Sequence, residues 1–406
     1  MKKFFSFFIS LLICFNFFGC GNNNKSYENK SLKNITSEPV DISKGANDSM
    51  LNRSIYFEGD STRISEKLNI AKNNPEKPMN ICFLGDSITQ GSLASDYEHQ
   101  YTKLFEEWWK ENISAYAQFF NAGIGATDSY LGVHRVQKHV LDYNPDIIFI
   151  EFINDTDDDF YSSSMNSLLK KCLSRPNKPA VILIEMTKDN GTCPQNAHSK
   201  AAKAYGVPMI SYHDVIMPEI EAGTIKWEDI SPDDIHPNDK GHAMLAQILE
   251  NYIVKIQKNN ISTNKISKDI DINSISDDKY TDSKFADRES TDIKVIDEGN
   301  FKTIASFNKF ENGWETQTGG SITFEMEFKN LGALYLKTVD GLSGMASVSV
   351  DGEEISLLRG DFTDGWGNWL KADEIYTSDK KATHTVKVTV IDGDKKQFKL
   401  MAWLLS

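Results

Sequence analysis

Three residue types that together perform acyl transfer occur in two short segments of this 406-residue chain. Ser87 stands in Gly85-Asp86-Ser87-Ile88-Thr89, and His236 in Asp233-Asp234-Ile235-His236-Pro237. A serine hydroxyl is a weak nucleophile until a base takes its proton, and a histidine is a good base once a carboxylate fixes its tautomer. Asp233 precedes His236 by three, so a compact loop can bring its carboxylate onto Nδ1 and leave Nε2 for Ser87. Asp234 is the alternative orienting acid. Asn121-Ala122-Gly123 and Ile153-Asn154-Asp155 lie between these segments and could supply oxyanion donors. Each segment also has a plain structural reading: Gly-Asp-Ser as a helix cap, a lone histidine as a surface residue, Asn-Asp as a turn. The combination favours chemistry.

These side chains need elements to hold them. Asn80 to Leu84 is a short apolar strand ending at Gly85, so Ser87 falls on a strand-to-helix turn, with its hydroxyl exposed at the sheet edge. Ala117 to Asn121, Asp146 to Phe152, Ala180 to Ile184 and Pro208 to Ser211 read as further strands. Helical stripes run over Tyr101 to Asn112, Leu131 to Leu141 and Ala243 to Ile256. This alternation predicts a doubly wound parallel α/β/α sandwich, whose sites form in loops beyond the carboxyl ends of the strands. Ser87 and Asn154 both fall there. Further along, Ser321 to Phe328, Ala333 to Lys337, Ala346 to Val350 and Thr385 to Val390 alternate apolar with polar. That pattern predicts a second, antiparallel β-sandwich, jelly-roll-like in kind.

In this order and at these spacings, the four segments resemble the sequence blocks of the SGNH/GDSL hydrolases, over roughly Asn80 to Lys255. The resemblance implies a serine esterase with Ser87, Asp233 and His236 as the catalytic set. It also implies an oxyanion hole built from the Ser87 N–H, the Gly123 N–H and the Asn154 amide, with Gly125 a nearby competitor for Gly123. The first block reads GDSIT rather than GDSL, a variant that resembles the hydrolase branch. The glycine that the family places two residues before the block-three asparagine is Phe152 here, which bears on the shape of the pocket.

The N-terminus reads as a targeting segment. Lys2 and Lys3 precede an apolar stretch, Phe4 to Phe18, that is too short for a comfortable membrane span. It ends in Phe17-Phe18-Gly19-Cys20, which resembles the bacterial lipobox with Phe17 where leucine is usual. That resemblance implies a signal peptide over 1–19, a lipid on Cys20 and residence on the outer face of the bacterial cell membrane. The alternative is an ordinary secretory signal. Residues 20–50 are too polar to pack and read as a tether, 51–257 as the catalytic domain, 258–298 as a linker and 299–406 as the β-domain. So polar a linker suggests two domains that fold independently; the opposing possibility is that the β-domain completes the substrate cleft. Cys82, Cys172 and Cys193 do not make a disulfide framework, and Cys82 reads as a buried small hydrophobe.

The net charge of −14 argues against a nucleic-acid partner. No His/Cys cluster has metal-ligand spacing, the acidic run Asp155 to Asp159 reads as a solvated loop, and no cofactor is indicated. Surface tethering and an appended β-domain point to an acylated carbohydrate or polysaccharide as substrate, and to removal of its O-acetyl groups. Trp366 and Trp369, between glycines, are either sugar-stacking residues or core, and core is the favoured expectation. The competing readings are an O-acetyltransferase on the same triad, a glycan-binding surface lipoprotein without catalysis, and a lipase, for which no apolar lid segment is evident.

Overall fold

Continuous apolar runs build the first layer. Asn80–Gly85, Ile147–Glu151 and Ala180–Glu185 are buried along almost their whole length, as parallel strands covered on both faces must be. The computed structural model of the protein describes residues 41, 45–258, 279–303, 306–392 and 396–406. The expected signal segment, Cys20, most of the tether and residues 259–278 of the expected linker lie outside them. The strands of this layer are β1 (Ile55–Phe57), β2 (Asn80–Gly85), β3 (Gln118–Gly123), β4 (Ile147–Glu151), β5 (Ala180–Glu185) and β6 (Met209–Ser211). They lie in the order β1-β6-β5-β4-β2-β3. β2 to β6 pair in parallel, and β1 closes one edge antiparallel to β6. β1 was not expected: its three half-buried residues make no readable run.

Helices α1 (Asp48–Arg53), α2 (Thr62–Asn73), α3 (Ser87–Gln90), α4 (Tyr101–Asn112), α5 (Ser129–His139), α6 (Asp159–Leu173), α7 (Gln195–Tyr205), α8 (His213–Glu221) and α9 (Asp239–Gln257) precede, connect or follow these strands. The expected helices correspond to α4, α5 and α9. α7 shows no clear stripe in the sequence because it buries mainly small residues, Ala197, Ala201 and Ala202, which give weak hydrophobic contrast. Two apolar layers flank the sheet, one with Phe83, Phe105 and Trp109, the other with Leu84, Val133 and Leu168.

The β-domain comprises β7 (Lys284–Ala286), β8 (Ile293–Asp297), β9 (Lys302–Thr303), β10 (Trp314–Thr316), β11 (Gly320–Lys337), β12 (Met345–Val350), β13 (Glu353–Arg359), β14 (Trp369–Val390) and β15 (Phe398–Leu405). Every pairing between these strands is antiparallel among the described residues. The expected short strands at Ser321 and Ala333 are one long strand, β11. It pairs with β14 from Gly320↔Val390 to Lys337↔Trp369, with irregularities near Lys329 and Gly332. Bulges of this kind bend strands. Beyond them β14 carries β12 on one side, and β11 carries β15 on the other. Trp314, Phe324, Val388 and Trp403 fill the interior between the two halves.

Two expectations are corrected here. Residues 284–297, expected as linker, contain β7 and β8, paired with β15 and β11. Nor is the β-domain separate in its packing. Leu334, Leu336, Leu370, Met401 and Leu404 share one apolar cluster with Tyr130, Val133 and Leu168 of the α/β layer. Hydrogen bonds cross the same junction, from Tyr280 N to Ser167 Oγ at 3.1 Å and from Ser283 Oγ to the Val133 carbonyl at 2.8 Å. Linker polarity reported only on the chain that joins the domains, not on the faces they present.

Candidate active site

β2 ends at Gly85 and the chain turns at once into α3. Asp86 caps that short helix, its Oδ1 accepting from Ile88 N at 3.0 Å, and Ser87 becomes the first helical residue. α3 lies close against β3: a side chain at Gly123 would stand 2.2 Å from Gln90 N. This sharp turn leaves Ser87 only 8% exposed but facing a cleft.

The second segment folds as a compact loop before α9. Asp233 Oδ1 accepts from Ile235 N at 2.9 Å and from His236 N at 2.7 Å. Its other oxygen meets His236 Nδ1 at 2.7 Å. Ser231 Oγ braces the loop by donating to the carbonyls of Asp233 and His236. His236 Nε2 then lies 2.8 Å from Ser87 Oγ. Asp233, not Asp234, is the acid on the ring. Partial burial raises Asp233, but the imidazole and both backbone N–H groups outweigh that and hold it below the usual carboxylate range. It therefore stays ionised at neutral pH, and a hydrogen-bonded Asp–His–Ser chain of this kind can activate the hydroxyl as a nucleophile.

Spacing alone did not single out this pair. Asp96 precedes His99 by the same three residues and holds its Nδ1 at 2.7 Å, yet the ring is exposed and lies outside the cleft lining. Only the fold separates the two histidines.

The expected oxyanion donors fare differently. Gly123 N–H is taken by Asn121 Oδ1 at 2.8 Å, and Gly123 does not line the cleft, which corrects that expectation. The cleft is lined by Gly125 and Ala126. Gly125 N–H is held by Gln90 Oε1 at 2.6 Å, whereas Ala126 N–H has no acceptor among the described residues. Ala126 also adopts a left-handed backbone, φ 58°, unusual for a residue with a Cβ. Its N–H is thus the better candidate beside that of Ser87. Asn154 lines the cleft, but its amide donates to Asp86 Oδ2 at 3.0 Å and to the Thr127 carbonyl at 3.1 Å. One of these bonds has to yield before the amide can serve an oxyanion. Phe152, the departure from the family pattern, turns away from the cleft: it is buried against Gly132, where a Cβ would stand 2.7 Å from its ring.

Beneath Ser87 lies a pair of buried carboxyls. Burial raises Asp86 well above its usual range, the charge of Glu151 adding to the effect, and burial also raises Glu151. Glu151 accepts from Ile153 N and from Thr89 Oγ1. The acidic run is solvated as expected from Thr156 to Asp159, where the exposed Asp158 caps α6, but Asp155 is buried.

The cleft has a volume of about 710 Å³, and the β-domain forms one wall of it. Asn308, Trp366, Asn368 and Trp369 face Ser87, Gln90, Asp234 and His236 across it. Trp366 is 71% exposed, against the expectation that it is core. The two indoles lie 5.8 Å apart at 31°. Asn308 and Asn368 were missed, because nothing local marks an asparagine in a β-domain loop as facing a distant serine.

A model of the GDSL-like lipase/acylhydrolase family matches residues 83–244. Among solved structures, a two-domain esterase active on acetylated mannans is 30% identical to this chain. It superposes with a TM-score of 0.80 over 88% of this chain and 98% of its own. A structure of such an esterase co-crystallized with mannopentaose gives a TM-score of 0.78, also at 30% identity, over 88% and 97%. No curated protein sequence matched.

Proposed function

The chain belongs to the GDSL-like lipase/acylhydrolase family, and on that footing we propose that it is a serine esterase that removes acetyl groups from a polysaccharide, acetylated mannan first among candidates. The observation that carries this reading is the Ser87–His236–Asp233 chain opening onto a cleft walled by two tryptophans. Indole faces stack on the apolar faces of sugar rings, so the wall suits a saccharide better than an extended acyl chain. The similarity to an esterase active on acetylated mannans supports the same choice of substrate.

In this mechanism His236 Nε2 takes the Ser87 proton as Oγ attacks the acetyl carbonyl. Asp233 steadies the imidazolium that results. Negative charge developing on the carbonyl oxygen meets the Ser87 and Ala126 N–H groups, donors worth about 3–4 kcal/mol each in such sites. His236 then protonates the departing sugar hydroxyl, and water, deprotonated by the same ring, releases acetate from Ser87. Lipidation at Cys20 would hold this chemistry at the cell surface, where polysaccharide is met; a diacylated cysteine at the mature N-terminus in a mass spectrum is the expected sign.

Acetate release from acetylated mannan, acetylated xylan and a series of aryl esters tests the function. Release from a polysaccharide, with aryl acetate preferred over longer acyl chains, is the expected outcome. Activity confined to long-chain esters would overturn it.

A further inference from the structure

Asp155 follows Asn154 in the loop after β4, yet it is buried and touches no part of the cleft. Its Oδ1 accepts from Ser129 N at 2.8 Å. Its Oδ2 meets His198 Nε2 at 2.9 Å, and His198 Nδ1 meets Glu185 Oε1 at 2.7 Å. All three side chains are almost inaccessible. Glu185 ends β5, so the line runs from the sheet through α7 to the loop and on to the first residue of α5.

The segment that this line pins is the one facing Ser87. Residues 124–128 lead into Ser129. Within them Thr127 Oγ1 donates to the Ile124 carbonyl at 2.7 Å, and Asn154 Nδ2 donates to the Thr127 carbonyl. The dipeptide Asn154–Asp155 thus fastens this turn at two points. The turn resists its own shape: Ala126 is left-handed, which is unfavourable for an L-residue and persists only where the surroundings enforce it. It also resists electrostatically. Asp128 is half-buried within reach of Asp155, and its carboxyl is pushed up to about 6 by desolvation and by that neighbouring charge. A histidine set between Asp155 and Glu185 offsets this crowding of carboxylates.

We propose that Asp155, braced by His198 against Glu185, is a positioning residue that holds the strained Ala126 turn where its N–H meets the oxyanion on Ser87. This rests on the ester-hydrolysis reading. The line acts on transition-state stabilisation and not on the sugar, because none of its members reaches the substrate cleft. Its loss lowers kcat and leaves KM nearly alone.

Three variants test it. Asp155→Ala removes the acceptor of Ser129 N–H, while Asp155→Asn keeps an oxygen there. Ser129→Pro removes the N–H donor, together with a buried hydroxyl that has no hydrogen-bond partner among the described residues: position 129 is the first helical residue, where proline is favoured, and Asp128 before it is already extended, φ −132° and ψ 175°. On aryl acetate, Asp155→Ala and Ser129→Pro should lower kcat about 10- to 100-fold, the scale of misplacing a reacting group by about 1 Å. KM should stay within about threefold, and Asp155→Asn should recover most of the loss. Should Asp155→Ala fail to fold, Ser129→Pro carries the test. A Ser129→Pro protein with kcat within about twofold of wild type overturns the proposal, as does an Asp155→Asn as slow as the alanine variant. Labelling of wild-type Ser87 by a fluorophosphonate keeps the two ideas apart. Without label and turnover the esterase reading fails; with both present and the variants unimpaired, this proposal alone fails.

Discussion

Replacing Asp233 by asparagine isolates the role of its charge, because the structure dictates how the amide must sit. One carboxylate oxygen accepts from the N–H groups of both Ile235 and His236, the other faces His236 Nδ1. An asparagine keeps the first two bonds only with its carbonyl oxygen in the first position, which turns its NH2 toward the ring. Nδ1 must then accept, the ring proton moves to Nε2, and Nε2 can no longer take the proton of Ser87. The loop keeps its shape while the base is lost. A wrong tautomer in a serine triad costs about 10⁴-fold, and allowing for partial reorientation of the amide we expect kcat to fall about 10³- to 10⁴-fold. At about 1.36 kcal/mol per tenfold, that is about 4–5.5 kcal/mol of transition-state stabilisation. KM should change little and the thermal midpoint by only a few degrees, since no apolar packing is altered. Steady-state kinetics on aryl acetate with a parallel melting curve give both readings. Retention of more than about a tenth of wild-type kcat would refute the tautomer argument, and a collapsed midpoint would show that Asp233 acts through the loop and not through the ring.

The tryptophan wall, the shared core and His198 each give a further expectation. Replacing Trp366 and Trp369 together by alanine should raise KM for acetylated mannan about tenfold, since covering about 60 Å² of indole face is worth about 1.5 kcal/mol; an equal rise for aryl acetate would argue against sugar stacking. A chain ending at Gln257 should aggregate, because it uncovers the face of α5 and α6 that Leu334, Leu370 and Met401 bury; a soluble product with full aryl-esterase rate would contradict the shared core. Burial lowers His198, but Glu185 and Asp155 outweigh it and raise the ring to about 10. A raised histidine contributes stability that is fully present below its unfolded pKa of about 6.5 and is lost as pH climbs through about 10. Thermal midpoints should fall over that interval, and the ring ¹⁵N shifts of His198 should stay those of an imidazolium from about pH 6 to about pH 9. A ring that titrates near its ordinary value would remove the brace.

Sequence by itself determined what is local in this protein. Ser87 follows an apolar strand that ends in glycine, and Asp233 and His236 share one short loop, so both arrangements follow from chain spacing and backbone geometry. The parallel layer was readable for the same reason: strands buried on both faces are apolar without a break, as β4 and β5 are. Where contrast was weak, as in the alanine-faced α7 and the three-residue β1, the pattern had nothing to show. Tertiary structure decided everything that depends on a partner far along the chain. Asn121 occupies Gly123 N–H and so moves the oxyanion candidate to Ala126. Asp96–His99 matches Asp233–His236 in spacing, and only the second ring is carried to Ser87 in the cleft. Trp366 reads as core until the bent strands β11 and β14 pack against α5 and bring its loop over Ser87. His198 gains its role only when the fold sets it between two carboxylates from different strand ends. A hydrogen bond between near neighbours is set by covalent spacing, whereas one between distant residues is set by how whole elements pack, and that is an outcome of many apolar contacts that no single segment records.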